Sequence, residues 1–128
     1  VTSGGSVSTF ASGLNGPQGI AFDSSGNLYV ANNGNSTIDK ITSGGSVSTF
    51  ATITSGSLTA LAIDGSGTLY VANNTNISKV TASGSVTSTF ATGLNSLGRG
   101  LAFSASSCTL YATSGGSLGA PSSIYKVT

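Results

Sequence analysis

The chain repeats itself with a period of about 40 residues, and a period of that length restricts it to a small set of repeat architectures. Val1-Thr2-Ser3-Gly4-Gly5-Ser6-Val7-Ser8-Thr9-Phe10-Ala11 recurs from Ile41 to Ala51 with one change, Val1 to Ile41, and returns in looser form from Val80 to Ala91. Phe10, Phe50 and Phe90 fall 40 residues apart. A second block, Ala21 to Asn33, recurs from Ala62 to Asn74, and a worn copy runs from Ala102 to Ala112. A third block is Ile38-Asp39-Lys40-Ile41, Ile77-Ser78-Lys79-Val80 and Ile124-Tyr125-Lys126-Val127. The chain is therefore three copies of one unit, approximately residues 1–41, 42–80 and 81–128, within a single small domain.

Each unit holds four short β-prone runs separated by Gly, Ser, Asn or Asp clusters, and no apolar stripe recurs at helical spacing. The fold class is all-β. In the first full unit, strands are expected near Gly19 to Asp23, Leu28 to Asn32, Thr37 to Thr42 and Ser46 to Ala51. The turn Asp23-Ser24-Ser25-Gly26-Asn27 puts an Asx side chain at its start and a glycine where a positive φ is expected. Four antiparallel strands in about 40 residues, repeated, predict β-propeller blades, three in this chain. The run Gly16-Pro17-Gln18-Gly19-Ile20-Ala21-Phe22-Asp23-Ser24-Ser25-Gly26-Asn27-Leu28-Tyr29-Val30-Ala31-Asn32, followed by Asn35 and the Ile38/Lys40 pair, resembles the NHL repeat. The resemblance covers nearly the whole chain. It is similar also to blades of streptogramin lyases and other six-bladed propellers, so it implies a ring of six.

Three blades leave two sheet edges open. The chain opens on Val1 to Ala11, equivalent to a fourth strand, and ends on Ile124 to Thr128, equivalent to a third. The partner expected from this phase is a second copy, two chains making a six-bladed ring in which each lends its first strand to the other. Further repeats of a longer chain are the alternative, since a sequence without any Met reads as a processed or excised piece.

Composition narrows the chemistry. Only 5% of residues are charged, with net charge +1, whereas Ser, Thr, Gly and Asn make up more than half of the chain. So few cations cannot neutralise a run of phosphates, and nucleic acid is not an expected partner. The longest apolar runs, such as Leu28 to Ala31, are a few residues long, so no membrane insertion is expected. With no His and no Glu, neither a Ser-His-Asp nor a Cys-His arrangement is available, and carboxylates come from Asp23, Asp39 and Asp64 alone. No catalytic residue, metal site or cofactor is assigned. The resemblance points the same way, because streptogramin lyases use His and lactonase-like propellers use ligands that include Glu.

In propellers, ligands meet the face built by the loops entering each inner strand and the loops joining second and third strands. Here that face carries Asn15, Gln18, Asn32, Asn33, Asn73, Asn74 and Asn95, with Arg99 as its cation, groups suited to a neutral carbohydrate or a protein backbone. The bland alternative is that these amides only satisfy turns. Asp23 and Asp64 are expected to cap equivalent turns, Ser104 taking their place in the third unit. Lys40, Lys79 and Lys126 should lay their stems on the sheet, and the recurring Tyr and Phe residues should pack between sheets. Asn35, Asn73 and Asn76 head Asn-x-Ser/Thr sequences and are candidate glycosylation acceptors. Cys108 stands where the other units have Gly26 and Gly67; it is either a partly buried small residue or an intermolecular thiol. The expectation is a non-catalytic extracellular or cell-surface propeller that binds or scaffolds. A fragment of a propeller enzyme and a subunit of a fibre or surface layer are the alternatives.

Overall fold

The computed structural model describes residues 4–54, 56–94, 97–115 and 122–128. Among these residues, eleven strands form three antiparallel sheets in simple up-and-down order. Sheet 1 is β1 (Pro17–Phe22), β2 (Leu28–Asn32), β3 (Thr37–Ile41) and β4 (Val47–Thr52). Sheet 2 is β5 (Leu58–Ile63), β6 (Leu69–Asn73), β7 (Asn76–Val80) and β8 (Val86–Ala91). Sheet 3 has three strands, β9 (Leu97–Ser104), β10 (Thr109–Ser114) and β11 (Ser123–Val127). The expected strands of the first unit thus lie within two residues of the observed ones.

The register follows the apolar alternation, since a slip of one residue would turn every buried side chain outward. Tyr29 and Ala31 point to one side of β2 and Leu28 and Val30 to the other. The core consists of two layers between sheets. Tyr29, Ala31 and Ile38 of sheet 1 pack on Leu61, Leu69, Val71 and Val80 of sheet 2. Ala62, Tyr70, Ala72 and Ile77 on the opposite side of sheet 2 pack on Leu97, Leu110 and Ala112 of sheet 3. The inner strands β1, β5 and β9 stand side by side in sequence order. At Gly19 the approach is closest, for a Cβ there would lie 2.7 Å from Ala60 Cα and Leu61 N.

The recurring aromatics join each sheet to its neighbour and to its own outer strand. Tyr29 meets Phe50 edge-on at 5.1 Å, and Tyr70 meets Phe90 at 5.4 Å while stacking on Phe103 at 6.0 Å. Lys40 Nζ lies 5.7 Å from the Tyr29 ring centroid and Lys79 Nζ 5.5 Å from that of Phe90, their stems along the sheet. Packing between sheets does not extend to every copy: Phe10, Phe90 and Tyr111 are exposed. Residues 5–14 form no strand.

Candidate functional site

Two ends of the sheets carry the polar residues, and the structure treats them differently. At one end are the hairpin turns β1–β2 and β5–β6. Asp23 Oδ1 accepts from the backbone N–H groups of Ser25 and Asn27, both at 2.9 Å, and Oδ2 from Asn27 Nδ2 at 2.8 Å. Asp64 Oδ1 accepts from Ser66 N, Ser66 Oγ and Thr68 N at 2.9, 2.6 and 3.0 Å, and Oδ2 from the Tyr70 hydroxyl at 3.2 Å. Each carboxylate thereby closes its own turn, and Gly26 and Gly67 adopt φ near 80° at the fourth position.

Burial works to raise the pKa of both carboxyls, but the hydrogen bonds outweigh it. The side chain and backbone of Asn27 and the backbone of Ser25, helped by Lys40, hold Asp23 below the ordinary value of 3.8. For Asp64 the donors are Ser66, Thr68 and Tyr70. The Tyr70 hydroxyl is pushed up, by burial first and then by the Asp64 charge it faces. A depressed folded-state pKa stabilises the fold above the unfolded carboxylate value and loses that stabilisation as pH falls through the folded value. The melting temperature should therefore drop on acidification below about pH 4. Asp64→Asn should flatten that drop, and an unchanged acid limb in thermal scans of the variant would contradict the assignment.

The third turn departs from this plan. Ser104 Oγ shares a hydrogen bond with Ser106 Oγ at 3.2 Å, and Cys108 takes φ 48° where the others have glycine. Cys108 is exposed, which overturns the reading of it as a partly buried residue. The chain's hairpin geometry, not packing, places it there.

At the opposite end, the segment entering β1 is stitched to the β2–β3 loop: Asn33 N donates to Gly16 O and Gly34 N to Asn15 O, both at 3.0 Å. Asn15 N donates to Asn32 Oδ1 at 3.3 Å. Ile53 N donates to Ser36 O at 2.9 Å, extending the β3–β4 pair of sheet 1, and Leu97 N of sheet 3 donates to Asn74 O of the β6–β7 loop at 2.7 Å, across a blade boundary. Of the amides read from the sequence, Asn15, Gln18, Asn33 and Asn74 are exposed here, as is Arg99. Asn32 and Asn73 are not part of that surface. Asn32 is wholly buried, donating from Nδ2 to Asp39 Oδ2 at 2.7 Å and to Thr37 Oγ1 at 3.2 Å. Asn73 is buried likewise, with Nδ2 donating to Ser78 Oγ at 2.9 Å. Both lie on the inward side of a hairpin end, where strand alternation puts them. Asn95 lies outside the described residues.

Burial also removes Asn73 as a glycosylation acceptor, and Ser78 of the Asn76 sequence is inside the sheet. Asn35 is exposed, with Thr37 Oγ1 donating to its Oδ1 at 2.9 Å. One polar position escaped the sequence reading. Thr59, equivalent to Gln18 and Arg99 on the inner strands, donates to Ala72 O at 3.4 Å and to Gly98 O at 3.3 Å, bridging sheets 2 and 3. Its signal was the repeat itself, which aligns the three positions. Among the described residues no three potential ligands gather as a metal site, and no helix is long and apolar enough to cross a membrane.

Residues 14–40, from the segment entering β1 to β3, match the NHL repeat. Among solved structures the chain superposes on one from a nidogen/laminin complex, with TM-score 0.68 and 24% identity over 77% of this chain and 39% of that one. It is similar to a gluconolactonase from Xanthomonas campestris, with TM-score 0.68 and 21% identity over 82% and 37%. It is also similar to virginiamycin B lyase from Staphylococcus aureus, with TM-score 0.64 and 16% identity over 87% and 40%. No curated protein sequence matches. The chain spans about two fifths of the length of these structures. The three sheets have the fold of β-propeller blades and correspond to part of a propeller, and the first of them carries the NHL match.

Proposed function

We propose that the chain is a non-catalytic propeller module of the extracellular or cell-surface kind, completed by further blades. In this reading its amide-rich end binds a neutral polar ligand, a carbohydrate or a protein segment. The observation that carries the reading is the fate of the carboxylates. Asp23 and Asp64 are spent on closing turns, and Asp39 accepts from Asn32 inside a blade. Without Glu or His in the chain, no general base remains at the amide-rich end. The exposed amides there, Asn15, Gln18, Asn33 and Asn74, donate and accept without charge, beside the single cation Arg99. The structure in a nidogen/laminin complex is of a propeller that engages another protein, which agrees with this role.

A second reading, part of a propeller enzyme, draws on the similarity to the gluconolactonase and the lyase. A glycan and peptide array separates the two when run beside lactone- and streptogramin-opening assays. Binding on the array should weaken roughly tenfold in an Asn33→Ala/Asn74→Ala variant, from the loss of two or more hydrogen bonds. Turnover of either substrate by the chain, abolished by a single substitution at Asp23, Asp39 or Asp64, would overturn the proposal.

A further inference from the structure

At the amide-rich end, the boundary between sheets 2 and 3 holds one residue that turn closure does not account for. In each inner strand the pairing with the second strand slips at the same place, leaving Gln18, Thr59 and Arg99 at equivalent positions within the irregularity. A bulge of this kind re-aims a side chain. Thr59 spends its hydroxyl inside the chain, donating to Ala72 O and, across the blade boundary, to Gly98 O. Arg99 is exposed.

The backbone under Arg99 is held from two blades. Gly98-Arg99-Gly100 lies opposite Thr113 alone, whose Oγ1 accepts from Gly100 N at 3.1 Å and donates to Gly100 O at 3.4 Å. A Cβ on Gly98 would lie 2.5 Å from Thr113 Oγ1 and one on Gly100 2.9 Å from it, so glycine on both sides of Arg99 lets the strand seat on that hydroxyl. Thr59 of sheet 2 holds Gly98 O at 3.3 Å, and Leu97 N donates to Asn74 O at 2.7 Å. All of these contacts are made within sheets 2 and 3 or between them, and they hold whatever covers the outward faces of sheets 1 and 3. Arg99 therefore projects from a positioned backbone beside the Asn74 turn, which lowers the ordering cost of engaging it.

A guanidinium presents five N–H donors in a planar fork that matches a carboxylate. None of the chain's three Asp side chains serves it: Asp23 and Asp64 close turns at the opposite end, and Asp39 accepts from Asn32 inside sheet 1. The neighbouring amides offer donor and acceptor in the pattern of a peptide group. Their loops, residues 13–16, 33–36, 53–57, 74–75 and 92–96, contain no aromatic residue on which a sugar ring could stack.

We propose that the ligand of the amide-rich end is a protein segment with one acidic side chain, whose carboxylate is taken by Arg99 while the Asn74 amide pairs with the segment's backbone. The inference rests on the reading that this end binds a ligand, and it narrows that reading's neutral ligand to a segment uncharged except at one residue.

The test is a displayed library of short peptides, uncharged apart from one Asp, selected on the 128-residue chain. Each selected peptide is remade with Asn in place of its Asp, and both are measured by titration calorimetry. The exchange should weaken binding roughly tenfold or more. Arg99→Gln should weaken the Asp peptide as much and leave the Asn peptide unchanged, with the circular dichroism of the sheets retained because the side chain is exposed. Arg99→Lys, which keeps the charge and loses the fork, should recover only part of the difference. Asp and Asn peptides that bind equally, or an Arg99→Gln variant that still prefers Asp, would overturn the inference; the amide-rich end would stand as a binding site if Asn33→Ala/Asn74→Ala weakens both peptides. Binding confined to glycans on a parallel array would overturn the protein segment alone. If neither peptides nor glycans bind, the underlying reading falls with it.

Discussion

Gly19→Ala is expected to destabilise the chain by about 2–3 kcal/mol, a fall of roughly 10 °C in melting temperature for a domain of this size. The backbone of Gly19 lies outside the left-handed region, so alanine is conformationally welcome there. The cost comes from what the methyl group meets: Ala60 Cα and Leu61 N at 2.7 Å and Ala60 C at 2.8 Å, all backbone atoms of the neighbouring inner strand. Backbone cannot rotate aside as a side chain can, so β1 and β5 must separate and the Tyr29, Leu61 and Leu69 layer loosens with them. Gly26→Ala makes the useful contrast, since no atom lies within 4 Å and its φ is 80°. Its cost of about 1–2 kcal/mol is conformational alone. Thermal unfolding of the two variants, with circular dichroism reporting the strands, measures both, and a Gly19→Ala variant as stable as the parent would mean that β1 and β5 do not approach as described.

The Gly19 result also marks where sequence reading stops. Period, strand positions and turn residues were legible because each leaves a local trace: alternation, an Asx residue opening a turn, a glycine at positive φ. Asp23, Asp64, Gly26 and Gly67 accordingly do what their positions predict. Distances between sheets leave no such trace. The second unit has Ala60 where the first has Gly19, so the repeat alone rates the exchange as harmless, whereas β1 sits against β5 without room for a methyl group. The amide-rich end was legible as composition and not as exposure. Whether an Asn at the end of a strand points into the blade or away from it depends on the register of the hairpin, and the register placed Asn32 and Asn73 inside.

Asn32→Leu should cost about 3 kcal/mol, although it keeps the branching and heavy-atom count of the side chain and adds apolar surface to a buried site. The loss arises from what Asn32 leaves behind. Asp39 is 7% exposed and receives the Asn32 amide at 2.7 Å, its other contact being Thr37 Oγ1 at 3.5 Å. Removing that amide strands a carboxylate inside the blade and frees Asn15 N from Asn32 Oδ1, so the segment entering β1 also loses its anchor. The second unit shows how the same site works without charge. There Asn73 donates to Ser78 Oγ at 2.9 Å, and Ser78 Oγ in turn donates to Ser88 O at 2.8 Å. Asp39→Ser should therefore cost under about 1 kcal/mol, with the new hydroxyl bridging Asn32 to the carbonyl of Thr49. In the double variant Asn32→Leu/Asp39→Ser the penalty should shrink to about 1–2 kcal/mol, because a serine without the amide can still donate across to β4. Urea denaturation of the four proteins completes the cycle, and a coupling near zero would detach Asn32 from Asp39.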